Sequence, residues 1–502
     1  MKSFDAVLIF DCTNTNSQGR QRTNVAKPLA PFAIHNFCTD NNIPCTLINY
    51  VDFWDPTELA ELLVEWCKKH NVSKPLIACS ALFNPNVLAP GSILSTIETI
   101  EQKLNVLVAV GGPSLYHHYD FTTRQPDFLF QGRSLYLFER WVLGKQIPDT
   151  FVKNINGTTV FSDETGAVVE NPIVLKIHDD FCLDKNDILH FEIRIGCKFN
   201  CSFCNHEFRN AKKVNDTVAD KLVEFFQTAY DKFGITRFSC TDDTFNEEDS
   251  KIHTLHSAVK QLSFKPKIVG FNRFDVLMAR PYQADLMNEC GFVGHFFGIE
   301  SLHDAASKNV RKTMTKERAY TFLTELRKKY PDWFIATGYI LGIPPETHEH
   351  IESTMQELRT LRYFDSIMLN PLTLENASGR HNLASDIEQH PEKYGITTVD
   401  IPGKINMDWY HQYSNYKQAV LHANRLTYKN LKEAGITRVD PWEALSYEAV
   451  GFYSLFTQEG KEEFRQHVSA RPQEALPEKV HVLSKEFITQ YMQRKKDYIR
   501  SL

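Results

Sequence analysis

Short apolar runs alternate with amphipathic segments of helical period through the first 150 residues. Strands separated by helices in this way indicate a parallel sheet with helices on both faces. The pattern therefore predicts a doubly wound α/β domain over residues 1–150, whose ligands would lie beyond the carboxyl ends of the strands. The predicted strands are Ala6–Phe10, Cys45–Tyr50, Pro75–Ser80, Val106–Val110 and Asp127–Phe130, and the predicted helices cover residues 28–41, 58–70 and 93–104.

A second series of strand-like and helix-like segments covers residues 186–375. Successive βα units of this kind are typical of a partial (β/α)6 barrel of the TIM type, in which the working residues gather at the carboxyl ends of the strands. The polar and special residues of this segment do occur at those ends. The predicted strands are 188–195, 237–240, 267–271, 294–298, 334–341 and 366–369.

The remaining segments are less regular. Turn signals between short strands at 158–161 and 168–170 predict a hairpin linker over residues 151–185. Residues 376–502 predict a mainly helical C-terminal domain, with helices at 408–435, 441–455 and 484–502. Four aromatic residues there either line a cavity or, because of their helical spacing, form part of the core: Tyr410, Tyr413, Tyr416 and Trp442. Four basic residues of the last helix either contact an anionic partner or form a solvated face: Arg494, Lys495, Lys496 and Arg500.

Composition narrows the class of protein. Hydrophobic residues make up 42% of the chain, charged residues make up 24%, and the net charge is −6. There is no secretory signal, and no apolar stretch approaches the ~20 residues that span a bilayer. We therefore expect a cytoplasmic protein with reduced cysteines and no membrane partner. The acidic balance argues against a broad nucleic-acid surface.

Three cysteines lie close together after the first strand of the second series. Cys197, Cys201 and Cys204 are spaced by four and three residues on a loop that Gly196 opens. Three thiolates suit a 4Fe–4S cluster that keeps one iron open, because such clusters are normally held by Cys thiolates. A zinc loop completed by His206 is the alternative, since a structural zinc site needs a fourth Cys or His.

The Cys-x3-Cys-x2-Cys spacing, with the aromatic Phe203 before the last cysteine, resembles the signature of the radical S-adenosylmethionine (SAM) enzymes. The resemblance extends over residues 186–375. It implies that the three cysteines hold a 4Fe–4S cluster whose open iron is chelated by SAM. It further implies that one electron from the cluster cleaves SAM to methionine and a 5′-deoxyadenosyl radical, and that a flavodoxin-like or ferredoxin-like partner donates this electron.

Further motifs at successive strand ends are similar to those with which this family binds SAM. An Asp-Asp pair stands where the family binds the amino group, a Gly-Ile-Glu-Ser run meets the ribose, and a Gly-x-Ile-x-Gly run backs the adenine. The chemistry agrees, because an ammonium group and a ribose diol favour carboxylates, whereas adenine favours apolar walls and backbone hydrogen bonds. Arg273 is the predicted cation for the SAM carboxylate or for a substrate anion. The residues predicted to contact SAM are Phe203, Asp242, Asp243, Arg273, Glu300, Ser301 and Gly342.

The N-terminal domain resembles the Rossmann-like cobalamin-binding domain that precedes many radical SAM domains. Residues 110–113 and 126–132 carry the match. The family's Gly-Glu-Gly-Glu run is replaced by Gly-Arg-Ser-Leu at 132–135, and its Asp-x-His-x-x-Gly motif is absent, as in many cobalamin radical SAM enzymes. The Gly-x-Gly-x-x-Gly motif of dinucleotide-binding domains does not follow the first strand, so a dinucleotide site is not indicated. Ser80, Gly111 and Gly112 are the predicted cobalamin contacts; a fold kept without a corrin is the alternative.

Cys12, Cys45 and Cys79 have spacings reminiscent of the N-terminal cluster of the tRNA methylthiotransferases. Cys12 and Cys79 fall near the carboxyl ends of predicted strands, whereas Cys45 opens its strand at the opposite edge. We therefore predict that the three thiols do not converge and that they are ordinary buried cysteines.

Three functions remain open. The first is cobalamin-dependent methyl transfer to an unactivated carbon of an unidentified substrate. The second is a radical SAM rearrangement, epimerisation, cyclisation or sulfur insertion without cobalamin, with the N-terminal domain as a scaffold. The third is a non-catalytic Fe–S or SAM-sensing protein.

Overall fold

A computed structural model gives the fold, and it describes residues 4–12, 24–80, 88, 93–112, 124–132, 135–163, 171–205, 215–375, 384–401, 406–472 and 478–502. The predicted strand at 168–170 and the zinc-ligand candidate His206 lie outside these ranges. Over the described ranges, no helix combines the length and the apolar character needed to cross a bilayer.

Contacts between residues divide the chain into two compact units. The first unit comprises Met1–His190, Asp231–Ile235 and His481–Leu502. The second comprises Phe191–Tyr230 and Thr236–Val480. The final helix therefore groups with the N-terminal sheet, although the chain reaches it only after the second unit.

The first unit is built on a sheet flanked by helices. Its elements are β1 (Ala6–Asp11), α1 (Leu29–Asp40), β2 (Cys45–Ile48), α2 (Pro56–Lys69), β3 (Pro75–Ser80), α3 (Leu94–Glu101), β4 (Leu107–Gly112), β5 (Phe128–Gln131), α4 (Leu135–Val142), β6 (Val152–Ile155) and β7 (Thr158–Ser162). The strand order is β2-β1-β3-β4-β5-β7-β6, and all neighbours are parallel except the β6–β7 hairpin. Because β1 and β3 are buried along their whole length, helices cover both faces of the sheet, which confirms the doubly wound prediction.

The predicted barrel lies mostly in the second unit. The elements of the barrel are β8 (Ile188–Phe191), α5 (Ala219–Phe233), β9 (Arg237–Cys240), α6 (Asp249–Val259), β10 (Lys267–Arg273), α7 (Phe274–Ala279), α8 (Tyr282–Glu289), β11 (Phe292–Glu300), α9 (Asp304–Asn309), α10 (Lys316–Lys329), β12 (Phe334–Leu341), α11 (His348–Leu361) and β13 (Ser366–Pro371). The six strands lie in sequence order from β8 to β13, so the sheet is an open, partial (β/α)6 barrel as predicted.

The C-terminal segment is mainly helical but also contains a small sheet. Its elements are β14 (Leu374–Glu375), α12 (Asp386–Gln389), β15 (Thr397–Val399), β16 (Asn406–His411), β17 (Ser414–Asn415), α13 (Tyr416–Ala434), α14 (Pro441–Ala449), α15 (Gln458–Ala470) and α16 (Glu478–Ser501). The predicted helix at 408–435 is wrong in its first part, because Met407 and Trp409 are buried while Asp408 is exposed, which is the period of a strand. Tyr410 and Tyr413 are 53% and 36% exposed, so the prediction that they form core is also wrong.

Two of the four basic residues predicted on a solvated face of α16 pair with acidic side chains instead. Lys495 is fully buried and its Nζ lies 2.5 Å from Asp180 Oδ1. Arg494 pairs with Asp184 at 2.6 Å. These ion pairs lie within the first unit, so the prediction of a solvated face is wrong for Arg494 and Lys495, whereas Arg500 is exposed.

Candidate functional site

The cysteine loop follows β8 and is held by carboxylates that lie beyond β9. Asp243 Oδ2 accepts the amide of Gly196 at 2.9 Å, and Glu247 Oε2 accepts the amide of Lys198 at 2.9 Å. Gly196 has a φ of +93°, which a residue with a Cβ rarely adopts. The backbone on both sides of Cys197 is thus fixed by charge-assisted hydrogen bonds.

Asp242 is buried beneath this loop. Its Oδ1 accepts the amide of Ile193 at 2.7 Å, and its Oδ2 lies 2.7 Å from Lys251 Nζ, with both side chains fully buried. Burial alone would lower the pKa of Lys251, but the charges of Asp242 and Glu247 raise it. Protein donors therefore occupy the carboxylate of Asp242, which anchors the chain leading into the loop.

The three predicted cluster ligands are all half-buried thiols on this loop. Cys197 Sγ lies 3.3 Å from Thr244 Oγ1. Burial raises the pKa of the Cys197 thiol. Over the part of the chain that the structure describes, no three His, Cys, Asp or Glu side chains are placed to hold one metal ion. The three thiols stay predicted ligands of a 4Fe–4S cluster, in which each thiolate binds a different iron.

Arg273, at the end of β10, lies directly beside the loop. Its Nη1 donates to Cys201 Sγ at 3.2 Å, and its guanidinium carbon lies 3.8 Å from the centre of the Phe199 ring. Asp275 holds the same guanidinium through Nε at 2.7 Å and Nη2 at 3.1 Å. The structure thus places Arg273 against one of the three predicted cluster ligands.

An apolar wall forms behind the last cysteine. Phe203 and Ile340 pack against a buried cluster of Ala306, Val310 and Ile343. The structure therefore brings together Phe203 and the Gly-x-Ile-x-Gly run, which the sequence predicts on the adenine side of the site. Adenine sites need walls of this kind.

Glu300, at the end of β11, lies next to two glycines. A Cβ on Gly298 would lie 2.9 Å from Glu300 Oε1, and a Cβ on Gly338 would lie 3.5 Å from Oε2. Lys312 Nζ is 3.8 Å from Glu300 Oε1 and donates to Gly298 O at 3.0 Å. Burial raises the pKa of Glu300 despite the opposing charge of Lys312. The glycines thus leave room for a carboxylate in the barrel mouth.

Ser301, by contrast, belongs to a buried network. Its hydroxyl donates to Glu346 Oε2 at 2.7 Å, and Tyr339 donates a short hydrogen bond to Oε1 of the same carboxyl group. Burial raises the pKa of Glu346 to about 7. Ser301 is itself fully buried, and its hydrogen bond to Glu346 connects the end of β11 with the loop after β12.

Gly342 follows β12 and has a φ of +99°. A Cβ there would overlap the ring of Trp409, whose Nε1 donates to Leu372 O at 2.7 Å. His411 Nε2 lies 3.1 Å from the carbonyl oxygen of Gly342. The glycine is therefore required for the C-terminal sheet to pack on the end of the barrel strand, a contact that sequence reasoning missed.

An aromatic patch lines the same strands further from the cysteine loop. Phe271 lies on β10, which pairs with β9 on one side and β11 on the other. Its side chain is nevertheless 40% exposed. Its ring centre lies 4.3 Å from that of Trp442 and 5.3 Å from that of Phe296. Trp442 Nε1 donates to Ser239 Oγ at 2.5 Å, which fixes the indole orientation. We call Phe271, Phe296 and Trp442 the aromatic wall.

The predicted cobalamin contacts lie at the carboxyl edge of the N-terminal sheet. Ser80 and Gly111 are register partners on β3 and β4, and Gly112 follows on β4. The loops after them, 81–87 and 113–123, lie outside the described residues. Cys45 pairs with Val7 near the start of β1, whereas Cys79 pairs with Phe10 near its end, so the three N-terminal cysteines do not converge, as predicted.

Several supporting residues were missed from sequence. Lys251 follows Glu247 at helical i,i+4 spacing, which is a signal for an ion pair. Lys312 lies in a basic run that offers no comparable signal. Arg194 forms a fork to Asp216, with Nε and Nη2 each at 2.6 Å from a carboxylate oxygen, across a separation that sequence cannot show.

Residues 192–358 match the Radical SAM superfamily. The fold also resembles two solved proteins. The radical S-adenosylmethionine methyltransferase TsrM from Kitasatospora setae is 13% identical with a TM-score of 0.63, over 94% of this chain and 99% of that one. The cobalamin-dependent S-adenosylmethionine radical enzyme OxsB is 13% identical with a TM-score of 0.55, over 99% of this chain and 80% of that one. At these identities the likeness concerns the fold.

Sequence relatives are methylthiotransferases. A tRNA-2-methylthio-N(6)-dimethylallyladenosine synthase from Methylacidiphilum infernorum is 22% identical over 54% of this chain and 61% of its own length. The ribosomal protein uS12 methylthiotransferase RimO from Christiangramia forsetii is 22% identical over 49% of this chain and 55% of its own length. The chain thus spans little more than half of each of these relatives.

Proposed function

We propose, on the premise that residues 192–358 form a radical SAM domain, that this protein is a cobalamin-dependent radical SAM methyltransferase acting on an unactivated carbon. The observation that carries the proposal is the likeness of fold, along 93% of the chain, to a methyltransferase whose structure holds cobalamin and a [4Fe-4S] cluster. The N-terminal sheet is included in that likeness, whereas a radical SAM domain alone would not need it.

Cys197, Cys201 and Cys204 would hold the cluster. When bound, the cluster would supply the electron that cleaves SAM. The surrounding residues keep the loop ready for this role: Asp243 and Glu247 fix its backbone, and Arg273 donates a hydrogen bond to Cys201 Sγ. A one-electron donor of flavodoxin or ferredoxin type and a cytoplasmic location belong to the same proposal.

The SAM molecule would lie between the loop and the barrel mouth. Glu300 is the carboxylate for the ribose diol, and the wall of Phe203, Ile340 and Ile343 is the adenine side. We assign the ammonium group to the side of Asp243 rather than Asp242. Asp242 is 1% exposed and already paired with Lys251, so it has no surface to offer a ligand.

Ser80, Gly111 and Gly112 would contact cobalamin at the edge of the N-terminal sheet. When bound, cobalamin would carry the methyl group that is transferred. Small residues suit this position, because a bulky planar ligand needs close approach to the backbone. A Cβ on Gly111 would lie 3.6 Å from the Cβ of Phe130, which is an ordinary contact distance. The fold itself therefore does not require glycine at this position.

The aromatic wall would face the substrate. Three rings in contact, one of them 40% exposed on a barrel strand, suit a flat apolar group, since aromatic rings attract one another beyond their buried area. Saturation-transfer NMR with a panel of aromatic and aliphatic compounds tests this assignment. Aromatic compounds should bind the wild-type protein and not Trp442→Ala; equal binding of both classes to both proteins would refute it.

Sulfur insertion without cobalamin is the second candidate. The observation that favours it is that the sequence relatives are methylthiotransferases. Against it, Cys12, Cys45 and Cys79 do not converge, so these thiols do not assemble a second cluster in the N-terminal unit.

Cobalt and iron analysis separates the candidates. The protein would be expressed with hydroxocobalamin supplied and purified anaerobically, alongside Gly111→Trp. Methyl transfer predicts about four irons and one cobalt per wild-type chain, because both groups bind stoichiometrically, and iron without cobalt in the variant. Iron without cobalt in both proteins would overturn the cobalamin proposal and favour sulfur insertion.

A further inference from the structure

Two thiols in the first unit lie outside the site described above. Cys38 is in the last turn of α1 and is fully buried, and Cys45 opens β2 and is half-buried. A short turn joins them, closed by the amide of Ile43 donating to Cys38 O at 2.9 Å. The Cys38 thiol hydrogen-bonds to the Cys45 sulfur, so the two sulfurs are neighbours.

An imidazole and a carboxylate support Cys45. Cys45 Sγ lies 3.8 Å from the backbone oxygen of His35, and the His35 ring acts on the Cys45 side chain and places Nε2 3.0 Å from Asp180 Oδ2. Thr39 Oγ1 adds a second link, at 3.8 Å from Cys45 Sγ and 3.4 Å from His35 Nδ1. The arrangement is a thiol, an imidazole and a carboxylate in series, which activates cysteine in many proteins.

Asp180 is itself fixed in place. Its Oδ2 accepts the amide of Leu47 at 2.9 Å, its Oδ1 accepts the Thr46 hydroxyl at 3.0 Å, and Lys495 lies 2.5 Å away. Although burial opposes ionisation, the charges of Lys495 and His35 lower the pKa of Asp180. The carboxylate therefore stays charged and keeps His35 oriented.

The charge state of Cys45 follows from these neighbours. The hydrogen bond from Cys38 lowers the pKa of Cys45 to about 5, with burial opposing and His35 adding to the effect. Burial opposes protonation of His35, but Asp180 and Cys45 outweigh it and raise its pKa to about 9. Both shifts favour a thiolate at Cys45 and an imidazolium at His35 near neutral pH. Cys45 is only half-buried and lies in this polar cluster, so the prediction that it is an ordinary buried cysteine is wrong.

Cys12 and Cys79 provide an internal contrast in the same unit. They are also hydrogen-bonded to each other, but both are buried, at 0% and 3% exposure. Burial raises the pKa of Cys12 well above its usual range, and Asp11 adds to the shift. Cys12 is therefore protonated and closed to reagents.

We propose that Cys45 is a modification site for low-molecular-weight disulfides and that Cys38 resolves the adduct into an intramolecular disulfide. In the first step the Cys45 thiolate attacks one sulfur of glutathione disulfide, forming a mixed disulfide and releasing glutathione thiolate. In the second step the Cys38 sulfur displaces glutathione from Cys45, and the Cys38 proton leaves with the released thiol. The two cysteines are oxidised by two electrons and the glutathione disulfide is reduced to two thiols.

The proposal rests on a half-buried nucleophile, Cys45, beside a buried resolving thiol, Cys38. This combination is typical of redox-sensitive cysteine pairs. It does not depend on the cluster or on cobalamin. A disulfide would remove the negative charge beside His35 and tie the end of α1 to the start of β2.

Peptide mapping after exposure to glutathione disulfide tests it. The cluster-loaded protein would be treated anaerobically near pH 7, alkylated, digested and analysed by mass spectrometry. We expect a Cys38–Cys45 disulfide in the wild-type protein and a glutathione adduct trapped on Cys45 in Cys38→Ser. Cys79→Ser is the matched control, and in it Cys12 should carry no adduct. Thiols remaining at both Cys38 and Cys45 in the wild-type protein would overturn the proposal.

Alkylation kinetics on the unmodified chain give a second readout that needs no variant. Under limiting iodoacetamide, Cys45 should be labelled at least about tenfold faster than Cys12, because only a thiolate reacts. Equal labelling rates for these two cysteines would contradict the assignment even if the variants failed to fold.

Discussion

The cysteine loop of the barrel and the carboxyl edge of the N-terminal sheet are both predicted cofactor sites, but they are constructed differently. Around the loop, carboxylates accept backbone amides and pair with a buried lysine and a buried arginine. At the sheet edge, the three predicted contacts Ser80, Gly111 and Gly112 are small and uncharged. A small, charged cluster needs rigid polar support, whereas a large ligand needs room, so the difference matches the two cofactors proposed.

A related contrast appears in the positions of the buried charged residues of the first unit. Two of its buried ion pairs, Lys27–Asp187 and Lys495–Asp180, join α16 and the segment before β8 to the body of the unit. None of these four residues belongs to the strand ends where cobalamin is proposed. These two pairs stabilise the fold of the first unit, whereas Asp243 and Glu247 in the second unit hold the backbone of the cysteine loop.

Loss of one cluster ligand should have the largest effect. Cys201→Ala removes a thiolate that Arg273 contacts at 3.2 Å, and with two ligands the loop should not retain a 4Fe–4S cluster. Iron content, the visible absorption of the cluster and 5′-deoxyadenosine formation should all be lost. Cys290→Ala, which changes a buried cysteine on the outer side of the barrel, is the control and should keep all three. A Cys201→Ala protein that still produced 5′-deoxyadenosine would refute the ligand assignment.

The adjacent residues Asp242 and Asp243 separate support from ligand contact. Asp242→Ala leaves Lys251 charged and buried without that partner, and breaking a buried pair costs about 3–5 kcal/mol. Asp243→Ala removes one half-buried hydrogen bond and should cost about 1 kcal/mol while weakening SAM binding. Urea unfolding and SAM titration measure the two effects. Equal destabilisation by both variants would contradict the separation.

Arg273→Gln tests the charge beside the cluster. Removing the guanidinium withdraws a donor from Cys201 Sγ, so the cluster's reduction potential should fall and activity should drop about 10–100-fold, as for other changes around metal ligands. Redox titration by electron paramagnetic resonance (EPR) and turnover assays report the two quantities. Arg280→Gln, on the half-exposed Arg280 that follows α7, is the control. An unchanged potential would show that Arg273 acts only on the loop's stability.

Glu346 should give the smallest effect, a pH dependence of stability. Its pKa of about 7 in the folded protein exceeds the ordinary value of 4.5, so the folded state holds a proton that the unfolded chain releases. Stability should therefore be highest below about pH 4.5 and fall as pH rises towards 7, by about 1.4 kcal/mol per unit of pKa shift.

Glu346→Gln should remove this decline, because the amide does not ionise. Melting temperatures of the two proteins at pH 5.5, 6.5 and 7.5 provide the comparison. The variant should gain stability relative to wild type as pH rises. A difference that stays constant over this range would contradict the raised pKa.

The sequence predicted most of the fold because both sheets obey simple periodicities. The parallel strands are apolar runs such as Leu76–Cys79, and helices of clear amphipathic period separate them. The segment at 406–415 was misassigned because its aromatic richness obscured a period of two, in which Met407 and Trp409 face inward. The pairing of Lys495 with Asp180 spans most of the chain, and no local pattern encodes such a contact.

The sequence offers candidate ligands but few of the residues that support them. The cysteine spacing predicts Cys197, Cys201 and Cys204 as ligands, which stays a prediction, and the sequence does not distinguish Asp242 from Asp243. Only packing shows that the first is closed off by Lys251. Likewise, the sequence predicts Arg273 as a cation for an anionic ligand, whereas in the structure its guanidinium donates hydrogen bonds to Asp275 and Cys201.

The central claim is that the loop at 196–204 holds a cluster that meets SAM. Iron and zinc analysis of anaerobically purified protein, combined with EPR of the dithionite-reduced sample before and after addition of SAM, tests it most directly. We predict about four irons per chain and a reduced-cluster signal that changes when SAM is added, because SAM would bind the iron that no cysteine holds. Zinc in place of iron, or a cluster signal that SAM leaves unchanged, would contradict the claim.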